Sequence, residues 1–246
     1  MRHSLAVFLL LTLIACSSVP EDDDKKSAEE MYNDAKVLLV GESYETAIKG
    51  FESLQSRYPY GRYAQQAQLE IAYAYYKQND PISAISAADR FIKQYPNNPH
   101  VDYAYYLKGL ANFNADIGMF GRTFGQDPTE RDPIAAQESF NAFKDLVARF
   151  PGSKYAPDSK VRMQYLINAI AKYDIHVASY YLRRGAHIAA VNRAKDVLTL
   201  FPNSTSTQEA LKIMAQGYDA LGMAELRDDT QRILEMNFPQ STTLSE

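Results

Sequence analysis

Five aromatic–proline dipeptides punctuate the chain: Tyr58-Pro59, Tyr95-Pro96, Phe150-Pro151, Phe201-Pro202 and Phe238-Pro239. The pattern ahead of each is alike. Counting back 12, 8 and 5 positions from the prolines gives Ala47, Phe51 and Leu54; Ala84, Ala88 and Phe91; Ser139, Phe143 and Leu146; and Ala190, Ala194 and Val197. Spacings of four and three place each trio on one face of a helix, and proline cannot continue that helix. A small residue, two further core residues and a proline stop match the second helix of a tetratricopeptide repeat. The fifth copy, Arg227, Gln231 and Leu234, is polar, as a capping repeat should be. Helix starts agree. Ser27 with Glu30, and Ser206 with Glu209, read as capping boxes. Asp80-Pro81 and Asp132-Pro133 put a capping Asp before a proline at the first helical position. The pattern predicts five helix pairs, roughly 27–57, 63–95, 100–149, 155–201 and 206–237, and no strand. The expected fold is all-α, a right-handed superhelix of about five tetratricopeptide-like helix pairs.

The dipeptides are 37, 55, 51 and 37 residues apart, so the two inner repeats are longer than the outer ones. Asn114 to Arg131 carries Gly118, Gly121, Gly125 and Pro128 without a helical period, which predicts a long irregular loop inside the third repeat. Lys154 to Arg184 keeps an apolar period through Val161, Tyr165, Ile170, Tyr173 and Val177. It predicts a lengthened first helix in the fourth repeat, with an unpartnered apolar and aromatic end where a partner could dock.

The first residues follow a different rule. Arg2, an apolar run from Leu5 to Ala15 and then Cys16 have the layout of a secretory signal. That run is too short for a membrane-spanning helix, which takes roughly 20 residues. Leu13-Ile14-Ala15-Cys16 resembles a lipobox, which implies cleavage before Cys16, with an S-diacylglycerol and an N-acyl group (palmitate) on that cysteine. Cys16 is the only cysteine in the chain, so no intramolecular disulfide can form. Several acyl chains anchor firmly where one would not. Ser17 after the cysteine resembles an outer-membrane sorting signal of Gram-negative lipoproteins. The polar stretch from Ser17 to about Lys26 predicts a flexible tether. The expected divisions are signal 1–15, lipidated tether 16–26, repeats one to three over 27–149, repeats four and five over 150–239, and a tail over 240–246.

A formal net charge of −4 argues against a general nucleic-acid grip. No metal-ligand spacing, nucleophile elbow or phosphate-cradling loop occurs, so neither catalysis nor a cofactor is expected. The tyrosines carry more information. Of 18, ten fall between Tyr58 and Tyr106, and Trp is absent. Tyr73 and Tyr76 are three apart, as are Tyr103 and Tyr106, so each pair shares a helix face. Tyr58, Tyr60, Tyr73, Tyr76, Tyr103 and Tyr106 are candidates to hold an aromatic-rich peptide; the alternative is that these rings pack between repeats. A second cluster is basic: Arg183, Arg184, His187, Asn192, Arg193 and Lys195. In an acidic chain it suggests an acidic protein partner; alternatively, Arg183 and Arg184 complement the C-terminal dipole of a helix.

The lipobox, the five repeats and the stretches Arg57-Tyr58-Pro59-Tyr60-Gly61, Tyr73-Ala74-Tyr75-Tyr76-Lys77, Asp89-Arg90-Phe91-Ile92, Arg131-Asp132-Pro133 and Val191-Asn192-Arg193 together resemble the BamD family. These are lipoprotein subunits of the β-barrel assembly machinery (BAM complex) of Gram-negative outer membranes. The resemblance runs through most of the chain and weakens after about Met223. It implies a non-enzymatic scaffold on the periplasmic face of the outer membrane that binds the POTRA region of BamA through its C-terminal repeats. It implies further contacts with BamC- and BamE-like lipoproteins, and receipt of unfolded outer-membrane proteins for membrane insertion. By motif position Asn192, Arg193 and Arg184 match the BamA-facing surface, and the Tyr58-to-Tyr76 region matches the substrate-receiving repeats. The rival reading is a tetratricopeptide lipoprotein of peptidoglycan or DNA-uptake machinery.

Overall fold

A computed structural model describes residues 26–117 and 133–239. The expected signal, most of the expected tether, Cys16, residues 118–132 where an irregular loop is expected, and the tail after Pro239 lie outside the described residues. The structure is all-helical: α1 (Ala28–Val40), α2 (Tyr44–Arg57), α3 (Arg62–Lys77), α4 (Pro81–Gln94), α5 (Val101–Ile117), α6 (Ile134–Arg149), α7 (Ala156–Arg183), α8 (His187–Leu200), α9 (Thr207–Ala220) and α10 (Ala224–Asn237). These are the five expected pairs. The chain divides into two compact units, the first ending at Ala67 within α3 and the second beginning at Gln68.

Local chemistry explains the boundaries. Ser27 and Glu30 form the expected capping box: the Glu30 amide donates to Ser27 Oγ at 3.3 Å and the Ser27 amide to Glu30 Oε2 at 2.8 Å. Asp80 accepts from the Ser83 amide at 3.1 Å, with Pro81 at the first helical position. Glu42, Asn79, Gly185 and Gly222 precede the second helix of their repeats, and all four have positive φ, between 58° and 75°. Each turn is closed by an amide two positions into it, as in Ser43 to Leu38 and Asp80 to Tyr75, the pattern of a Schellman close. The second helices end alike. Tyr58, Tyr95, Phe150, Phe201 and Phe238 have φ from −124° to −135° and ψ from 52° to 71°, each still donating its amide to the carbonyl four residues back. The following proline pushes each of them out of the helical region.

The twelve residues of the four trios are almost fully buried, from 0% to 1% exposed. In the fifth copy Gln231 is exposed and Leu234 half-buried. In the second unit α5 packs on α4 and α6, α6 on α7, α7 on α8 and α9, and α9 on α8 and α10. At α5 and α6 the approach is close: a side chain at Gly109 would overlap the Phe143 ring, and Ser139 Oγ donates to the Gly109 carbonyl at 2.9 Å.

Four expectations need correction. Helix α5 runs on to Ile117, so the irregular stretch cannot begin at Asn114. Pro133 occupies the N-cap of α6 rather than its first helical position. Ser206 stands at the N-cap of α9 but makes no side-chain capping bond, because its backbone is already in the helical region, where the hydroxyl cannot reach forward. Helix α7 has the expected extra length, 28 residues, but its end is partnered. Leu166 and Ile170 join Leu110, Ala136 and Phe143 in one core. Ala171, Ile175 and Ala178 join Ala190, Val191, Ala194, Val197, Ala210, Ile213 and Met214 in another, with Tyr181 and Leu182 packed against it.

Candidate functional site

Two constellations in the second unit coincide with the residues singled out by sequence. The first is aromatic. Tyr103 and Tyr106 project from one face of α5 toward the N-terminus of α7, where Tyr155 occupies the cap position. Ser153 Oγ donates to Asp102 Oδ2 at 2.7 Å, tying the loop before α7 to the first turn of α5. Tyr155 therefore stacks on both rings, 4.7 Å from Tyr106 at 19° and 5.2 Å from Tyr103 at 29°. Lys154 Nζ lies 5.0 Å from the Tyr155 ring centroid, an arrangement that favours a cation over the π face.

A charged node closes one side of this stack. Tyr106 donates its hydroxyl proton to Asp158 Oδ2 at 2.8 Å, and Arg162 Nε donates to the same oxygen at 2.6 Å. The Arg162 guanidinium also sits 4.9 Å from the centroid of Phe113. Burial is the largest single influence on Asp158 and pushes its carboxyl up. The bonds from Arg162 and Tyr106 outweigh it and hold Asp158 below its ordinary 3.8. Burial, then donation to Asp158, pushes the Tyr106 phenol up to about 12. The Tyr103 phenol is raised further, first by burial and then by the phenols of Tyr155, Tyr73 and Tyr76 and the Glu70 carboxylate around it.

The six candidate tyrosines are divided between the two units. Tyr58 and Tyr60 belong to the first unit. Tyr58 caps α2 and donates to the Lys26 carbonyl at 2.8 Å; Tyr60, between Pro59 and Gly61, is 91% exposed. Tyr73, Tyr76, Tyr103 and Tyr106 belong to the second unit. Tyr76 and Tyr106 pack against the Leu110–Phe143–Leu166 core, so the packing alternative describes those two. Tyr73 and Tyr103 are half-buried. Tyr155, Asp158 and Arg162 escaped the sequence reading because it followed tyrosine density and stopped at Tyr106. Repeat register held a signal: Tyr155 lies four residues after its proline, as Tyr63 does, and Tyr63 also packs on a ring, that of Tyr32, at 5.5 Å.

The second constellation is the basic cluster. Arg184 caps the C-terminus of α7 through its own amide, with its side chain exposed, as is Arg183. Asn192 is exposed on α8, whereas Arg193, one residue on, turns toward α7. Its Nη1 donates to Asp174 Oδ1 at 3.2 Å. Asp174 is 8% exposed, and its burial pushes the carboxyl above its ordinary value, with Arg193 opposing and Asp196 adding to the rise. Sequence reading missed Asp174, since an acid inside the apolar period of α7 has its partner 19 residues away. Among the described residues no cluster of acidic, histidine or cysteine side chains could hold a metal, and no helix is long and apolar enough to cross a membrane.

The node yields one stability prediction. A carboxyl with a lowered pKa contributes stability above its unfolded value, and that contribution is lost as pH falls through the folded value. Tyr106→Phe removes only the hydroxyl from half-exposed Asp158, so it should lower stability by about 1 kcal/mol at pH 7. The difference from the parent protein should shrink below about pH 4 as Asp158 protonates. Denaturant unfolding across that range measures it, and a pH-independent difference would remove Asp158 from the explanation.

Comparison with known proteins follows the same outline. Residues 24–233 match the model of the YfiO family, described as outer membrane lipoprotein. The chain is similar to the outer membrane protein assembly factor BamD of Neisseria meningitidis serogroup A, at 42% identity over 98% of this chain and 92% of that protein. It is 37% identical to the BamD of Xylella fastidiosa, over 96% and 80% of the two chains. It is 34% identical to that of Vibrio cholerae serotype O1, over 96% and 98%. Likeness of this degree along most of each chain, with a family match over residues 24–233, shows the family: this chain belongs to the BamD family of outer membrane lipoproteins.

Proposed function

We propose that this chain is a lipid-anchored periplasmic scaffold that joins BamA to unfolded outer-membrane proteins during their assembly into the outer membrane. The observation that carries the reading is the near full-length likeness to outer membrane protein assembly factors. As a member of this family the chain is a non-enzymatic assembly factor without a cofactor. That likeness favours assembly over peptidoglycan or DNA-uptake machinery.

Three finer assignments follow. Cys16 carries the acyl anchor, and residues 17–26 let the repeats stand off the membrane. The face of α7 and α8 that bears Arg184, Asn192 and Arg193 receives the POTRA region of BamA, with BamC- and BamE-like lipoproteins as further partners. The half-buried Tyr73 and Tyr103, beside the Tyr155 stack, receive aromatic-rich segments of unfolded substrates. A tyrosine suits this task because its ring covers apolar area while its hydroxyl stays available to a peptide backbone. Tyr60 offers a further ring, exposed in the first unit.

The complex is tested by solubilising membranes in mild detergent and purifying the chain. BamA should accompany it, and Arg193→Glu should deplete BamA from the preparation. Undiminished BamA with that variant would exclude this face as the contact. For the substrate face, a labelled peptide ending in aromatic residues should bind the purified chain several-fold more weakly after Tyr73→Ala, with helical circular dichroism unchanged. Equal binding by the folded variant would rule Tyr73 out of the peptide site.

A further inference from the structure

Repeat register makes the Asp174–Arg193 pair an exception. In each repeat one residue of the second helix lies nine positions before the terminal proline: Gly50, Ala87, Ala142, Arg193 and Thr230. Four are small. Ala87, Ala142 and Thr230 are buried, and Gly50 lies so near α1 that a Cβ there would stand 3.0 Å from that of Ala35. Nineteen positions earlier, on the first helix of the same repeats, stand Met31, Gln68, Asp174 and Leu211, all buried. Matched positions thus carry Met31 with Gly50, Gln68 with Ala87, and Leu211 with Thr230. The fourth repeat alone among these carries an acid with an arginine.

Packing does not require this exchange, because three other repeats fill the same two positions without a charge. Stability does not explain it either. A buried ion pair is weak evidence for stabilisation, since removing the charges from water offsets most of their attraction. Here Asp174 is 8% exposed and burial disfavours its ionised carboxylate. The two side chains are unequally placed: Asp174 keeps 11% of its side chain exposed and Arg193 42%. Arg193 uses Nη1 on Asp174, and its Nε and Nη2 have no partner among the described residues. Those two nitrogens form the side edge of the guanidinium, the edge that takes a carboxylate through two parallel hydrogen bonds.

We propose that Asp174 is a positioning residue, which holds Arg193 by Nη1 so that its Nε–Nη2 edge forms a seat for a carboxylate side chain of the docking partner. This rests on the reading that the Arg193 face receives BamA. Without Asp174, the long side chain rotates among several rotamers and must be ordered anew at each encounter. With it, the fork is set before the partner arrives, and the partner's carboxylate meets a cation already desolvated on one side.

The test is a titration of the full chain, purified in mild detergent, with the purified periplasmic region of BamA, alongside thermal unfolding of each variant. Asp174→Asn should weaken binding by on the order of tenfold, with Asp174→Glu retaining more affinity than Asn. Arg193→Lys, which keeps the charge but not the fork, should weaken it as well. The double variant Asp174→Leu with Arg193→Thr recreates the fifth repeat's pairing; it should stay folded with an undiminished melting temperature and still fail to bind. A merely structural pair would instead lower the melting temperature in the single variants, and the folded double variant would bind normally. If Arg193→Glu weakens binding while Asp174→Asn does not, the positioning role is overturned and the docking face stands. If Arg193→Glu binds as the parent does, the docking face itself fails, and the positioning role with it.

Discussion

The packing of α5 to α9 depends on helix α7 being buried in two cores at once. Its N-terminal half sends Leu166 and Ile170 into the core built by α5 and α6. From the very next residue, Ala171, Ile175 and Ala178 enter the core built by α8 and α9. Phe201, the aromatic stop after α8, touches both. Truncating a fully buried Leu costs about 2–5 kcal/mol, so two cores on one helix bind repeats three to five into a single stability problem. The extra length of α7 is thus structural rather than a spare end.

The same helix presents the features that a packing argument would leave out. Asp158 opens it with two contacts beside the tyrosine stack, one from a hydroxyl and one charge-assisted, and Asp174 interrupts its buried face with an acid. Each is a local departure from the apolar economy of the repeats. Departures of this kind tend to mark functional positions, because elsewhere the sequence and the fold agree. Both lie on an element that cannot shift without disturbing two cores, which gives polar groups there a rigid mount.

Much of the fold was legible because repetition turns weak signals into a register. One proline predicts a helix stop; five prolines, four of them with matching residues 12, 8 and 5 positions before them, predict the second helices of the repeats and their core faces. Periodicity reports which face is buried, however, and not what buries it. So the length of α7 was foreseen and its partners were not. Ser206 had the composition of a capping box but a backbone already turned into the helix, and the hydroxyl lost its reach. Of the tyrosines, density along the chain marks Tyr103 and Tyr106 but not Tyr155, which arrives from a later repeat and which repeat register alone signals. Arg193 was found by its charge and family position, whereas Asp174 became visible only once helix pairing set it opposite.

The most direct test of α7 as a shared element is native-state hydrogen exchange on Leu166→Ala. That residue belongs to the core built with α5 and α6. If α7 couples the two cores, the slowest amides of α8 and α9 should lose the same protection free energy as those of α5 and α6. Loss confined to α5, α6 and the first half of α7, with α8 and α9 as slow as in the parent protein, would contradict the account.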